Sequence, residues 1–297
     1  MTKDTNARGI ILAGGKGSRL FPLTQHTSKQ LLPVYDKPLI YYPLATLLGL
    51  KVSQVDIIVT SNSLDSFKKL LGDGSEFGVN INYHIQDDPN GIAEVFKIIP
   101  MSRQYTRNIL ILGDNIFFGS GLEKIFNSSI NTYKNQNFIF TVINKNPKAF
   151  GVPVFNKKGK VINLVEKPKK PKNNQVIPGI YIYGNEVFEI VKKLKPSLRG
   201  ELEITDLNKN LLNKGKLKVR QMPSKTVWFD AGTQSELLSA SNFISSIQGA
   251  QNELIGSPHL NSFTTNKIDL KKLKQIAKKY NQSNYGSLLN FFIEEKY

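Results

Sequence analysis

Apolar residues in the first half of the chain follow two alternating rhythms. Short runs at Ile10–Ala13, Val55–Thr60, Asn80–Gln86 and Ile109–Leu112 read as sheet strands. Between them, Pro38–Leu50, a segment capped by Ser63 or Asp65 and ending at Leu71, and Ile92–Ile99 carry apolar residues at helical spacing. This alternation predicts a parallel sheet with helices on both faces, and ligands of such sheets bind beyond the carboxyl ends of the strands.

The spacing shortens in the second half. Strands are predicted at Phe138–Val142, Gly151–Phe155, Val161–Glu166 and Ile177–Tyr183, with a hairpin turn at Gly159. A helix over Glu186–Leu194 is stopped by Pro196, and another opens from Arg199–Asp206 and runs to about Lys214. Leu217–Gln221 returns as a strand and Ser235–Ile247 as a helix. A polar stretch and two amphipathic segments, Leu270–Lys279 and Tyr285–Glu295, close the chain.

Composition narrows the partners more than the fold. A chain of 297 residues buries a full core, as one large α/β domain or two smaller ones. It has no cysteine, which excludes a disulfide framework and a thiolate zinc site and fits a reducing compartment. His26, His84 and His259 are scattered and read as surface or partly buried, satisfied residues. Met1–Arg8 is polar with no apolar segment behind it, and no later stretch reaches spanning length, so a cytoplasmic location is expected. The 40 Lys and Arg against 23 Asp and Glu give a net charge of +17. That excess suits nucleic acid, an anionic membrane or phosphorylated small molecules. The lysines are dispersed, with no aromatic-interleaved stripe, so neither a nucleic-acid nor a membrane partner is expected. The densest run, Lys167–Lys172, reads as a proline-broken loop.

Candidate chemistry starts where the first strand ends. Gly14, Gly15 and Gly17 can take positive φ and present bare N–H groups to an anion, while Lys16, Arg19 and Lys29 supply positive charge. A Walker A loop beginning at Gly9 has its second glycine at Gly14 and then needs lysine where Gly15 stands; the register fails by one. The dinucleotide pattern starting at Gly15 has its third glycine position occupied by Leu20. A nucleoside triphosphate remains the expected guest. Other strand ends carry Gln86 with Gly91 beyond it, Gly113-Asp114-Asn115, Glu166-Lys167, and Phe229-Asp230-Ala231-Gly232. An aspartate directly after a buried strand suits a hard cation such as Mg²⁺.

Five stretches occur in order: LAGGKGSRL with Lys29–Pro33, LGDN at Leu112–Asn115, VEKP at Val165–Pro168, RGELEITD at Arg199–Asp206, and WFDAGT at Trp228–Thr233. Together they resemble the sugar-1-phosphate nucleotidylyltransferases over residues 9 to about 248. The resemblance implies the nucleotide-diphospho-sugar transferase fold. This is an α/β architecture with a Rossmann-like mixed, mostly parallel sheet flanked by helices and a C-terminal helical segment. The catalytic domain would span 1–249, with a nucleotide half over about 9–145 and a sugar half over about 146–249. The segment 250–297 would pack on the core or a subunit interface.

The implied reaction joins dTTP and α-D-glucose 1-phosphate to give dTDP-glucose and pyrophosphate, with Mg²⁺ as cofactor. Asp114 and Asp230 match the family's metal ligands. Arg19 and the N–H groups of Gly14, Gly15 and Gly17 match the cradle of the β- and γ-phosphates, with Lys29 near the α-phosphate and Ser18 and Gln30 also in the nucleotide site. Leu12, Gln86 and Gly91 match the nucleoside site. Asn115, Phe150, Gly151, Glu166, Lys167, Gly179, Tyr181 and Arg199 match the sugar-phosphate side. Arg19, Lys29, Lys167, Asp114 and Asp230 are the expected catalytic set, and a homo-oligomer, tetrameric in the family, is expected.

Departures from the family pattern, at Asp87-Asp88, Phe150, Pro153, Val154 and Pro178, lie mostly on the nucleoside and sugar rims. They leave uridylyl transfer from UTP, or another sugar 1-phosphate, as alternatives. Ser257–Asn261 likewise departs from the segment the family uses for a second, regulatory nucleotide site. A non-catalytic nucleotide-sugar-binding regulatory protein is the alternative of another class. It predicts loss of the metal and phosphate ligands, and all of them are retained.

Overall fold

The computed structural model describes residues 5–131 and 136–297, so the first four residues of the polar start lie outside the described residues. Eight strands form the central sheet: β1 (Ala7–Leu12), β2 (Gln54–Val59), β3 (Asn80–Ile85), β4 (Arg107–Leu112), β5 (Asn137–Ile143), β6 (Gln175–Val176), β7 (Ile180–Tyr183) and β8 (Leu217–Gln221). Their order is β6-β5-β7-β4-β1-β2-β3, with β8 also paired to β5. Pairs β3–β2, β2–β1, β1–β4 and β5–β8 are parallel; β7 runs antiparallel to β4 and β5, and β6 antiparallel to β5. The sheet is mixed and mostly parallel, as expected.

Both faces of the central strands are covered. Ile11, Ile57, Ile109 and Ile111 enter one apolar cluster, while their neighbours Ile10, Ile58 and Leu110 enter the other. This alternation explains why the strands appear in the sequence as continuous apolar runs. Each such fully buried side chain contributes about 2 kcal/mol of transfer free energy. Since the parallel strands point one way, the ends of β1, β2, β3 and β4 share one edge. The antiparallel β7 delivers its beginning to that same edge, where Ile180 pairs with Ile111 and the Leu112 N–H donates to the Gly179 carbonyl at 2.8 Å.

Several elements differ from the sequence reading. The helix predicted from Pro38 starts at Tyr41, because Lys37–Pro38 pairs with Pro33–Val34 in a small ribbon. Ser63 makes no side-chain cap on the Leu64–Leu71 helix; its hydroxyl donates to the Thr60 carbonyl instead. The predicted strand Ile177–Tyr183 is broken at Pro178-Gly179: proline has no N–H to donate, and the Gly179 N–H is used by Asn115. Helices Leu122–Asn131 and Pro258–Thr264 and the strand Ile116–Phe118 had no expectation attached to them; Ile116–Phe118 pairs with Val227–Phe229, the strand expected ahead of Asp230. The Gly151–Phe155 and Val161–Glu166 strands form a separate ribbon. No helix among the described residues is long and apolar enough to cross a membrane.

The closing helices, Pro258–Thr264, Leu270–Lys279 and Asn284–Lys296, share a small apolar cluster that includes Leu273, Ile276, Leu289 and Ile293. A buried polar chain pins them to the core. His259, expected to be partly buried at most, is fully buried and stacks on Phe77 at 4.9 Å. The Tyr285 hydroxyl lies 2.7 Å from its Nδ1, and Glu76 Oε1 lies 3.0 Å from its Nε2. Burial holds His259 below the ordinary imidazole value, which favours the neutral ring. A neutral ring accepting from the tyrosine donates its Nε2–H to the carboxylate. The His259 hydrogen bond, helped by Lys279, holds Glu76 down at about 2.

Since the folded value of Glu76 lies below its ordinary 4.5, its stabilisation is complete above that pH and disappears as pH falls towards 2. Calorimetry is expected to show that Glu76→Gln lowers Tm at neutral pH and makes the acid decline across this window shallower. Parallel Tm curves for the two proteins would refute the contribution.

Candidate active site

The loop after β1 uses its glycines differently from one another. Of the three, each of which can take positive φ, only Gly17 does, at 62°. Gly14 is favoured by close approach instead, since a Cβ there would make a tight 3.2 Å contact with the Gln86 carbonyl oxygen. Gly15 has open space beside it. The Thr24 hydroxyl donates to the Gly17 carbonyl at 2.7 Å and closes the loop, leaving Lys16, Ser18 and Arg19 exposed. The chain then returns through a short helical turn, Lys29–Leu31, which buries Lys29 and Gln30. Gln30 accepts from the Ser28 hydroxyl and packs under Gly113.

At the end of β4, the buried Lys29 Nζ donates to Asp114 Oδ2 at 2.6 Å. Asn115 Nδ2 donates to Asp114 Oδ1 at 2.8 Å and to Asp230 Oδ1 at 3.2 Å. The two aspartates, far apart in the chain, therefore meet across one amide. Asp230 arrives from the end of the Val227–Phe229 strand. Burial, and then the charge of Asp114, push its carboxyl up to about 7. Among the described residues no group of three or more His, Cys, Asp or Glu side chains gathers as a metal site. A donor set of two carboxylates fits Mg²⁺, which keeps several waters and shares the oxygens of a phosphate substrate.

A cleft of about 730 Å³ opens beside these groups and is lined by Arg19, Asp114, Phe150, Glu166, Lys167 and Asp230, with Gly151, Gly179 and Tyr181 also on its wall. Glu166 is oriented by the Thr205 hydroxyl, which donates to its Oε2 at 2.5 Å. Phe150 meets the Trp228 ring edge-on at 4.9 Å, and Tyr181 stacks on Tyr183. Lys167 has φ 42°, a left-handed backbone that a long side chain adopts only under constraint from its surroundings. Its N–H donates to the Phe150 carbonyl at 3.1 Å. A second cleft, about 750 Å³, lies behind the glycine loop against Thr60, Ser61 and Asp87 and includes none of the two aspartates or Lys167.

The remaining expected residues are placed unevenly. Leu12 ends β1 opposite Leu112. Gln86 is buried and donates to Glu94 Oε2 at 2.6 Å. Gly91, with φ 105°, presses so closely on Leu202 that a Cβ would lie 2.5 Å from its carbonyl oxygen. Arg199 is not on the cleft wall: its Nη2 donates to both Glu203 oxygens at 2.8 Å, and Nε donates to Oε1 at 3.1 Å. Asn115 is fully buried behind the wall rather than on it. Sequence reasoning missed Thr205, Thr233 and Glu236 as cleft residues. The Thr233-x-x-Glu236 spacing is a legible helix-start signal; Thr233 Oγ1 accepts from the Glu236 N–H, and Glu236 accepts from the Gly232 N–H at 2.8 Å, beside the Arg19 guanidinium.

The chain belongs to the nucleotidyl transferase family, whose model matches residues 8–247. Nucleotidyltransferases of this family generally use a divalent metal ion. More particularly, it is similar to glucose-1-phosphate thymidylyltransferase of Mycolicibacterium smegmatis, with 44% identity over 95% of this chain and 97% of the relative. The Neisseria meningitidis enzyme of the same name is 40% identical over 95% of this chain and 98% of its own. A crystal structure from Bacillus anthracis, described as a glucose-1-phosphate thymidylyltransferase with sucrose, superposes with a TM-score of 0.72. It is 37% identical and covers 80% of this chain and 94% of its own.

Burial of an ionised Asp230 next to Asp114 is unfavourable in the metal-free protein. Its folded value of about 7 exceeds the ordinary 3.8, so this destabilisation is full above pH 7 and is relieved as pH falls through 7. Asp230→Asn is therefore expected to raise Tm by several degrees at pH 8 in a chelator, with a smaller gain at pH 5. Thermal melts at the two pH values test this, and an equal Tm change at both would sink it.

Proposed function

We propose that this protein transfers a deoxythymidylyl group from dTTP to α-D-glucose 1-phosphate, giving dTDP-glucose and pyrophosphate. The observation that carries this reading is the meeting of Lys29, Asp114 and Asp230 at one sheet edge, between the glycine loop and the cleft that contains Glu166 and Lys167. The names of the relatives at about 40% identity or more support the choice of substrates.

A sugar-phosphate oxygen is already ionised at neutral pH, so the reaction needs alignment and charge neutralisation rather than a general base. That oxygen attacks the α-phosphorus as the bond to the departing pyrophosphate breaks on the opposite side. Bound Mg²⁺, with Asp114 and Asp230 as its protein ligands, would neutralise charge on the phosphates. Lys29, held by Asp114, puts an ammonium beside the α-phosphate. Arg19 and the N–H groups around Gly14–Gly17 take the β- and γ-phosphates. Lys167 orients the sugar phosphate, and Arg199 joins it on leaving Glu203, with bidentate geometry suited to phosphate oxygens. Glu166, held by Thr205, accepts sugar hydroxyl hydrogen bonds. Gln86 and the backbone at Gly91 meet the base, with Leu12 packing near the nucleoside. In this reading the protein is cytoplasmic and homo-oligomeric; sedimentation at the monomer mass would overturn the second part.

The deciding experiment is pyrophosphate release across dTTP, UTP, CTP, ATP and GTP against glucose, galactose, mannose and N-acetylglucosamine 1-phosphates, with Mg²⁺ present. Release is expected to be greatest with dTTP and glucose 1-phosphate. UTP, which lacks the thymine methyl and adds a 2′-hydroxyl, should also be used, since the methyl is worth only about 1 kcal/mol. No release with any pair would refute the proposal. Lys29→Met is expected to cost about a hundredfold or more in kcat, on the scale of losing one preorganised electrostatic group; a change under threefold would remove Lys29 from the mechanism.

A further inference from the structure

We propose that Asn115 is a positioning residue that fixes the two cation-binding carboxylates, and that Trp228 with the Gly179 backbone sets the direction of its amide. This rests on the reading of Asp114 and Asp230 as cation ligands. The fully buried Asn115 uses every hydrogen-bonding position of its side-chain amide. Its Oδ1 accepts from the Gly179 N–H at 2.9 Å and from the Trp228 Nε1–H at 2.7 Å. Its two Nδ2 hydrogens serve Asp114 at 2.8 Å and Asp230 at 3.2 Å.

The two ends of this amide play different parts. Neither Gly179 N–H nor the indole N–H can accept a hydrogen bond, so they allow only an oxygen opposite them. A flipped amide would set its oxygen against two carboxylates and its NH₂ against two N–H donors. The orientation is thus fixed at both ends, with the Gly179 and Trp228 donors anchoring the oxygen to the scaffold and the NH₂ turned to the carboxylates. Two donors face Asp114 and Asp230, half-buried carboxylates on one cleft wall, where like charges repel. Asn115 therefore sets the spacing of the pair without itself lining the cleft. The indole is separately held by Phe150, so the donor has a rigid support.

The full-length protein and its Trp228→Phe, Asn115→Leu and Asp230→Asn variants test this, with Mn²⁺ as the probe and free Mn²⁺ counted by electron paramagnetic resonance. Trp228→Phe keeps an aromatic ring against Phe150 and removes only the donor. It is expected to weaken Mn²⁺ binding about tenfold and to lower kcat by a similar factor, with KM for the sugar phosphate within twofold and Tm nearly unchanged. Asn115→Leu is expected to lose more of both. A raised KM for the sugar phosphate with intact Mn²⁺ binding would return Asn115 to the sugar site and overturn the proposal. A lowered Tm with unchanged Mn²⁺ affinity would make the bonds merely structural and overturn it too. Unchanged Mn²⁺ binding in Asp230→Asn sinks the cation reading and this proposal with it. Lost binding there, with unchanged binding in both other variants, sinks this proposal alone.

Discussion

The in-register parallel pairing of β1 with β4 is the constraint from which the site follows. Leu12 stands opposite Leu112, and the Gly113 N–H donates to the Leu12 carbonyl at 2.9 Å. One strand then opens into the phosphate-type loop and the other into Gly113-Asp114-Asn115, side by side. A Cβ on Gly113 would lie 2.9 Å from the Leu12 carbonyl oxygen and from Gln30 Cγ, so the two chains diverge with no room for a side chain between them. Because β7 runs the other way, it brings Gly179 to the same edge. Three strands thus supply one site, and none has to bend far to do so.

Local cost is concentrated where the chemistry is. Most apolar positions of the central strands are buried on both faces, while the sheet edge gathers two half-buried carboxylates, a buried ammonium and a buried amide within one network. Lys167 adds a left-handed backbone at a residue type that disfavours it. Such features persist when the surrounding packing over-determines them. Here the Gly151–Phe155 ribbon and the Thr205–Glu166 hydrogen bond supply that surrounding order. The His259 chain does the equivalent for the C-terminal helices, although its polar groups serve docking rather than a cleft.

The parallel core was legible because both-face burial writes long apolar runs into a sequence, and helix spacing between them is unambiguous. What was not legible has particular causes. Pro38 looked like a helix entry because a two-residue ribbon leaves almost no pattern. Leu122–Asn131 went unread although its apolar side is regular, and Pro258–Thr264 is too short to show a period. Among site residues, Asp114, Asp230, Glu166 and Lys167 stood out by sitting at strand ends, and the folded chain brings them to one region. Arg199 depended on which carboxylate it meets, Glu203 in this structure, which spacing alone does not decide. Asn115 could be placed near the site but not assigned to a neighbour, since its four partners come from residues 114, 179, 228 and 230.

The open space beside Gly15 has a bearing on redesign. Gly14 is pressed against Gln86 and Gly17 holds a left-handed turn, but the position between them meets nothing within 4 Å and borders the hydroxyl-lined cleft behind the loop. A loop built from three glycines thus contains one that sterics leave unassigned. Chemistry grafted there would extend from the loop's outer side, giving an engineer a handle on the glycine loop that leaves its two constrained glycines in place.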